Sequence, residues 1–281
     1  MFQLDDEKIK RLEEKAKDIR ISIVEMLIEA SSGHPAGSLG MADIFAAFYF
    51  HILRHDPTKP DWQDRDRLIL SNGHICPVLY ASLAHSGYFP IEELKTLRKF
   101  GSRLQGHPDK NFLPIVEISS GPLGLGLSQV IGMTLADKIN NNNSSKKYFY
   151  CFLSDGELQE GNIWEAAMLG GKEKLENLIA VIDRNNIQTV GKVENVMPLE
   201  PLEDKWRAFN WNVQTIDGHN FKEIIEAVES TQKSNKPSII IAKTIPGKGI
   251  SFMENDYRWH SRPVSKEEGE KALIELKKDN A

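Results

Sequence analysis

Two short segments carry side chains that together could hold a hard cation. Ser154-Asp155-Gly156 follows the apolar run YFYCFL, and Asp183-Arg184-Asn185-Asn186-Ile187 follows LIAVI. The Asp155 carboxylate and the Asn185 amide stand 30 positions apart, the span of one strand end, a helix and the next strand end. In parallel α/β sheets ligands bind beyond the carboxyl ends of the strands, so the two groups can meet there. A carboxylate, an amide oxygen and a main-chain carbonyl form a hard oxygen set that suits Mg²⁺ or Ca²⁺ and not a softer metal. Magnesium keeps positions open for water and phosphates, so two or three protein oxygens suggest a bound diphosphate. Either DG or NN alone is an ordinary turn former. The pair at this spacing is far more specific. A third loaded strand end, Lys243 to Gly249 (KTIPGKG), follows SIIIA.

Histidines supply the second chemistry, since an imidazole exchanges protons near neutral pH. His34, His74 and His107 each follow a glycine, and His34 and His107 each precede a proline, which places these rings on tight turns where main chain can approach a ligand closely. The GPLGLG segment reads G-x-x-G-x-G, the wrong order for a dinucleotide fingerprint, and no good strand signal precedes it.

The elements that must position these groups are legible in the hydrophobic pattern. An N-terminal helical segment over about 1–30 repeats Ile9, Leu12, Ala16, Ile19, Ile23, Met26 and Leu27 at three- and four-residue intervals and stops at SSGHP. Met41 to Leu53 is apolar on nearly all sides, as in a helix buried within a larger assembly. YFYCFL, LIAVI and SIIIA are short, continuously apolar runs of the kind that form strands covered on both faces, with Arg67 to Leu70 and Val213 to Ile216 as weaker examples. Helical patterns at Leu127 to Ile139, Asn162 to Leu169 and Phe221 to Gln232 alternate with them. The alternation predicts an α/β fold of three layers, a parallel sheet with helices on both faces. Asn220 with Glu223 and Ser265 with Glu268 mark helix starts, the latter opening a C-terminal helix over about 265–279. NNNNSSKK, Asn140 to Lys147, reads as a polar surface loop. No repeat or linker divides the chain, so residues 1–281 read as one domain.

The chain has 281 residues, 35 basic and 40 acidic, for a net charge of -5, which gives it no electrostatic draw to nucleic acid or an anionic membrane. Cys76 and Cys151 lie far apart with no zinc spacing and read as small core residues. The start, MFQLDDEKIK, lacks a signal-peptide pattern, and no stretch is long and apolar enough for a membrane span, so a soluble cytoplasmic protein is expected.

Asp155-Gly156 followed after 28 residues by Asn185-Asn186 resembles the thiamine diphosphate binding motif of thiamine-dependent enzymes. SSGHPAGSLGMAD, LSNGHICPVLYASL, GSRLQGHP, SGPLGLGLS and DGELQEGNIWEAA are similar, in that order, to the amino-terminal half of transketolase, over roughly residues 20–260. The resemblance implies the thiamine diphosphate-binding fold. It implies that Asp155, Asn185 and the Ile187 carbonyl bind Mg²⁺ (or Ca²⁺ or Mn²⁺). It implies that Gly121, Leu123, Gly156 and Glu157 line the cofactor. His34, His74, His107 and His260 fall at the family's positions for substrate and diphosphate contacts: His34 and His107 would exchange protons with sugar hydroxyls, and His74 and His260 would assist at the substrate or diphosphate. Glu160 would face the companion half. Three positions depart from the family pattern: Ser154 where Gly is usual, Leu125 where Gln is common, and WHSRP in place of His-Gly around His260. His51, His55, His85 and His219 match no site position and read as packed or solvated side chains.

The implied activity is transfer of a two-carbon ketol unit from a ketose phosphate to an aldose phosphate. An ordinary transketolase chain also carries a pyrimidine-binding and a carboxy-terminal domain, so the resemblance implies a split enzyme whose partner is a carboxy-terminal subunit, as α2β2. Two other readings stay open: half of another thiamine-dependent enzyme, such as the α chain of a 2-oxo acid dehydrogenase or a deoxyxylulose phosphate synthase-like protein, and a cofactor-free interaction protein. A transketolase-like subunit for an unusual sugar would carry the same motifs in this chain.

Overall fold

The computed structural model describes residues 5–141 and 146–278. Five strands form one parallel sheet: β1 (Arg67–Leu70), β2 (Phe149–Ser154), β3 (Leu178–Arg184), β6 (Asn212–Asp217) and β7 (Ser238–Lys243), in the order β1-β2-β3-β7-β6. A two-residue ribbon, β4 (Ile187–Gln188) against β5 (Gly191–Lys192), hangs beyond β3. The helices are α1 (Asp6–Ala30), α2 (Pro35–Gly40), α3 (Ala42–Ala47), α4 (Cys76–His85), α5 (Leu125–Asn140), α6 (Gly161–Glu173), α7 (Val193–Val196), α8 (Leu202–Ala208), α9 (Phe221–Thr231) and α10 (Lys266–Lys277).

Strand side chains alternate between faces, and the apolar runs divide accordingly. Tyr150 and Phe152 of β2 pack with α1, α3, α4 and α9, while Phe149, Cys151 and Leu153 pack with α5, α6 and Trp206 of α8. The sheet is therefore covered on both faces, which is why these strands are apolar throughout. Both cysteines are free and buried, as expected of small core residues, and burial pushes the Cys76 thiol up to about 12. The Met41 to Leu53 run is helical and buried, but it is built as α3 followed by a wider π-helical turn, Phe48–Ile52. Ser265 and Glu268 form the reciprocal capping box that the sequence predicts, and Asn220 caps α9. Residues 142–145 of the polar patch, and residues 1–4 and 279 of the two terminal helical segments, lie outside the described residues. Among the described residues, no helix is long and apolar enough to cross a membrane.

A buried ion pair locks α1 to α3. The Arg20 guanidinium donates to both Asp43 carboxylate oxygens, at 2.9 and 2.6 Å, and His219 Nδ1 lies 2.7 Å from Asp43 Oδ2. His219 Nε2 accepts from the Ile245 main-chain N–H at 2.8 Å, so the network also anchors the loop after β7. Burial opposes the Asp43 charge, yet Arg20 and His219 prevail and hold the carboxyl down at about 2, against an ordinary 3.8. Its contribution to stability is present above about pH 4 and is lost as pH falls toward 2. Asp43→Asn leaves Arg20 uncompensated and is expected to cost about 3–5 kcal/mol in urea unfolding at pH 7.

Candidate active site

The loops at the carboxyl ends of β1, β2, β3 and β7 bring the candidate residues together. Ser154 pairs with Asp183 across the sheet, and Asp183 with Ala242, so Asp155, Asn185 and Thr244 leave their strands at one level. Ser154 is the last residue of β2 and has no left-handed backbone, so serine serves there as well as glycine. Asp155 is fully buried. Its Oδ2 accepts from the Asn186 N–H at 2.6 Å and from Arg184 at 3.1 Å, whereas Oδ1 accepts only from the adjacent Gly156 N–H, at 2.8 Å. Burial outweighs these partners and pushes the carboxyl up to about 6. Arg184 is itself held by Glu194 at 2.5 Å and Glu200 at 3.2 Å.

The Asn185 amide is oriented from behind. Its Nδ2 donates to buried Asp183 at 2.8 Å, and its Oδ1 accepts from the Ile187 N–H at 2.9 Å, keeping a second lone pair. Asp183 in turn accepts from the Thr244 hydroxyl, and burial pushes its carboxyl up to about 7. Asn186 adopts a left-handed backbone, φ 59°, which turns the chain from β3 into the β4–β5 ribbon.

Glu157 faces inward. Its Oε1 accepts from the Ser71 hydroxyl at 2.5 Å and the Gly124 N–H at 2.7 Å, and its Oε2 from the Ser154 N–H at 3.2 Å. One buried carboxylate thus braces the ends of β1 and β2 against the glycine loop that starts α5. Gly121 and half-buried Leu123 lie on that loop, and Gly121 has φ 155°, a conformation glycine adopts readily. Leu125, the first residue of α5, is partly exposed. Glu160 is exposed at the N-terminus of α6.

Three of the four predicted histidines form one cluster. Ring centroids lie 5.0 Å apart for His34 and His74, 5.6 Å for His34 and His260, and 5.3 Å for His74 and His260. His34 precedes α2, His74 sits on the 3₁₀ turn after β1, and His260 follows the turn Tyr257–Trp259. His107 is more exposed and lies over Gly121, where an added Cβ would come 3.6 Å from its ring. Burial, then His260, Arg98 and His107, push His34 down to about 4; His74 lies well below the usual imidazole range for similar reasons, and burial lowers His107 and His260. At neutral pH these rings are uncharged. By contrast, His55, His85 and His219 are tied to protein partners, Tyr88 and Tyr49, Ser22, and Asp43 with Ile245 respectively.

Several buried polar atoms of this region have no hydrogen-bond partner among the described residues. His34 Nδ1, both amide atoms of Asn72, Ser120 Oγ and Arg98 Nε are buried without a hydrogen-bond partner, a costly condition for a folded chain. Asn72 and Ser120 flank Gly73 and the Gly121 loop, for a Cβ on Gly73 would lie 2.4 Å from Ser120 Oγ and 3.2 Å from the Gly121 nitrogen. The Asn72 and Ser120 groups fit a polar, anionic cofactor. For a cation, Asp155 Oδ1 and Asn185 Oδ1 each accept one of these hydrogen bonds and keep a further lone pair, and the Ile187 carbonyl would be a third hard oxygen. Among the described residues no group of three or more His, Cys, Asp or Glu is placed to hold a metal, so a cation here would depend on amide and main-chain oxygens.

Sequence reasoning missed Arg98 and Asn72, and it named Asp183 and Thr244 only within loaded strand ends, without a role. Asn72 could have been noticed within LSNGH, two residues before His74. Nothing local marks Arg98, which reaches the site across a long loop.

Residues 12–279 match the family described as transketolase, thiamine diphosphate binding domain. The chain is 44% identical to a 6-deoxy-6-sulfo-D-fructose transketolase subunit of Clostridium sp. (strain MSTE9), covering 96% of this chain and 98% of that protein. It is 39% identical to an apulose-4-phosphate transketolase subunit of Phocaeicola vulgatus, covering 95% and 94%. Transketolase from Campylobacter jejuni superposes with a TM-score of 0.89 at 37% identity over 97% of this chain, but the match takes in only 44% of that longer chain. The chain belongs to the transketolase family and corresponds to its thiamine diphosphate binding domain.

Proposed function

We propose that this chain, as one domain over residues 1–281, is the amino-terminal half of a split transketolase. Its partner is a separate pyrimidine-binding, carboxy-terminal subunit, with two copies of each in the assembly. Together they move a two-carbon ketol unit from a ketose to an aldose. The observation that carries this reading is that hard oxygens suited to a cation and a cluster of three histidine rings, with His34 Nδ1 buried and unpaired among the described residues, lie together beyond the carboxyl ends of the strands. The names of the two full-length relatives, each a transketolase subunit, support the partner.

Asp155, Asn185 and the Ile187 carbonyl would hold Mg²⁺, with Ca²⁺ or Mn²⁺ as substitutes. Gly121, Leu123 and Gly156 would line the diphosphate and aminopyrimidine, with Glu157 bracing their loops. Thiamine diphosphate, when bound, supplies the nucleophilic carbon and the electron sink for breaking a carbon–carbon bond next to a carbonyl. His34 and His107 act on the sugar: a neutral imidazole accepts a hydroxyl proton as the bond breaks and returns it as the new bond forms. His74 and His260 pack beside them and orient the substrate or the diphosphate. Glu160, at the exposed start of α6, faces the partner subunit.

The substrate we infer is a ketose ending in an anionic group. The two relatives are named for a sulfo-ketose and a ketose phosphate, and the present chain offers neutral histidines for hydroxyls. A donor screen on the chain with its partner subunit tests the reaction class. Cleavage of a ketose phosphate or sulfo-ketose in the presence of an aldose is expected. Consumption of pyruvate without ketose cleavage would instead make the chain half of another thiamine-dependent enzyme.

A further inference from the structure

We infer that Arg98 is a positioning residue of this site, a single guanidinium that ties the two Gly-His-Pro turns together and sets its charge beside both His34 and His107. The inference rests on the reading above that these two rings act on the substrate. Arg98 Nη1 donates to Ser32 Oγ at 2.7 Å, in the turn that presents His34, and Nη2 donates to the Gly106 carbonyl at 3.2 Å, in the turn that presents His107. Its own N–H bonds to the Leu104 carbonyl at 2.9 Å. The backbone of Arg98 is left-handed, φ 60°, a conformation that non-glycine residues hold at a cost and that tends to persist at functional positions.

The glycine of the second turn has a reason in this arrangement. A Cβ on Gly106 would lie 2.9 Å from Arg98 Nε and 3.0 Å from its Cζ, so the guanidinium rests directly on the Gly106 α-carbon. Nε itself is buried with no partner, which a role confined to bracing the loops would not require.

The charge has a chemical consequence. The groups acting on His34 are His260, Arg98 and His107, with the His74 ring 5.0 Å away, and the group acting on His107 is Arg98. All are basic, and only the guanidinium is permanently charged. Burial is the larger cause of the lowered values of both rings, and the Arg98 charge adds to it, further disfavouring their protonation.

The test compares wild type, Arg98→Gln and Arg98→Lys in the full chain with its partner subunit, reading histidine ring titrations by NMR and the pH profile of kcat. Arg98→Gln is expected to raise the His34 and His107 midpoints by about half a pH unit or more and to carry the acidic limb of kcat up with them. Arg98→Lys retains the charge and leaves the limb near its wild-type position, while loss of one of the two tethers lowers kcat several-fold. A merely structural residue would change kcat or stability without moving the midpoints. Should Arg98→Gln not fold, Gly106→Ala decides, because its methyl group displaces the guanidinium and should move the same midpoints. Unmoved His34 and His107 midpoints in the variant that folds overturn the inference. Failure of the wild-type pair to transfer ketol units defeats the proposed function instead, and the ring titrations still decide what Arg98 does.

Discussion

Asp155→Asn is expected to lower ketol transfer by more than about a hundredfold and to abolish stabilisation by thiamine diphosphate with Mg²⁺, while leaving the free chain at least as stable as wild type. A hundredfold is the upper end for loss of an outer-shell partner of a metal ligand, and Asp155 is proposed as a ligand itself. The free chain tolerates the change because burial outweighs the carboxylate's partners, so the carboxyl lies near 6. A raised carboxyl pKa means that the folded chain holds its proton more tightly than the unfolded chain between about 3.8 and 6; the ionised group then costs stability as pH rises through that window. A neutral amide avoids the cost, and Arg184 keeps Glu194 and Glu200 as partners. For wild type, ligand at a hundred times its Kd should add about 2.7 kcal/mol, read as a rise in Tm. Since the bound cation requires the ionised carboxylate, its affinity should fall as pH drops below about 6. A Tm shift with cofactor that survives Asp155→Asn would remove this carboxylate from the cation site.

His34→Ala is expected to behave differently, losing roughly a hundredfold or more in kcat, as for other general acid–base groups, with cofactor stabilisation retained. His34 lies among the other two rings of its cluster, with Nδ1 buried and unpaired, so its truncation removes a proton acceptor without touching the diphosphate loops. Its pKa of about 4 also makes a stability prediction. The folded chain binds fewer protons than the unfolded chain between about 4 and 6.5, so wild-type stability should decline as pH falls through that window, and His34→Ala should flatten the decline. Equal kcat for His34→Ala and wild type would exclude the ring from proton transfer.

The strands were legible because each long apolar run is buried on both faces, and Asp155 and Asn185 were legible because a parallel sheet delivers residues 30 positions apart to one edge. Long-range closure was not legible. Arg98 reaches Ser32 across 66 positions, and Thr244 reaches Asp183 across 61, and no local pattern encodes either contact. Glu157 illustrates a subtler limit. A carboxylate beside the Asp155-Gly156 turn reads as a ligand-facing group, but its oxygens are taken up by Ser71, Gly124 and Ser154, which sequence proximity alone cannot reveal. The extended α6, which begins at Gly161 and runs to Glu173, shows the ordinary imprecision of helix ends, since polar and glycine positions near its C-terminus mask its continuation beyond Leu169.

Reconstitution tests the central claim most directly. Ketol transfer from an anionic ketose to an aldose is measured with only this chain, with only the pyrimidine-binding partner, and with the two mixed, all in thiamine diphosphate and Mg²⁺. Activity in the mixture only, lost when Asp155→Asn replaces the wild-type chain, is the predicted result. Full-rate transfer by this chain alone, or an active mixture indifferent to Asp155, would contradict it.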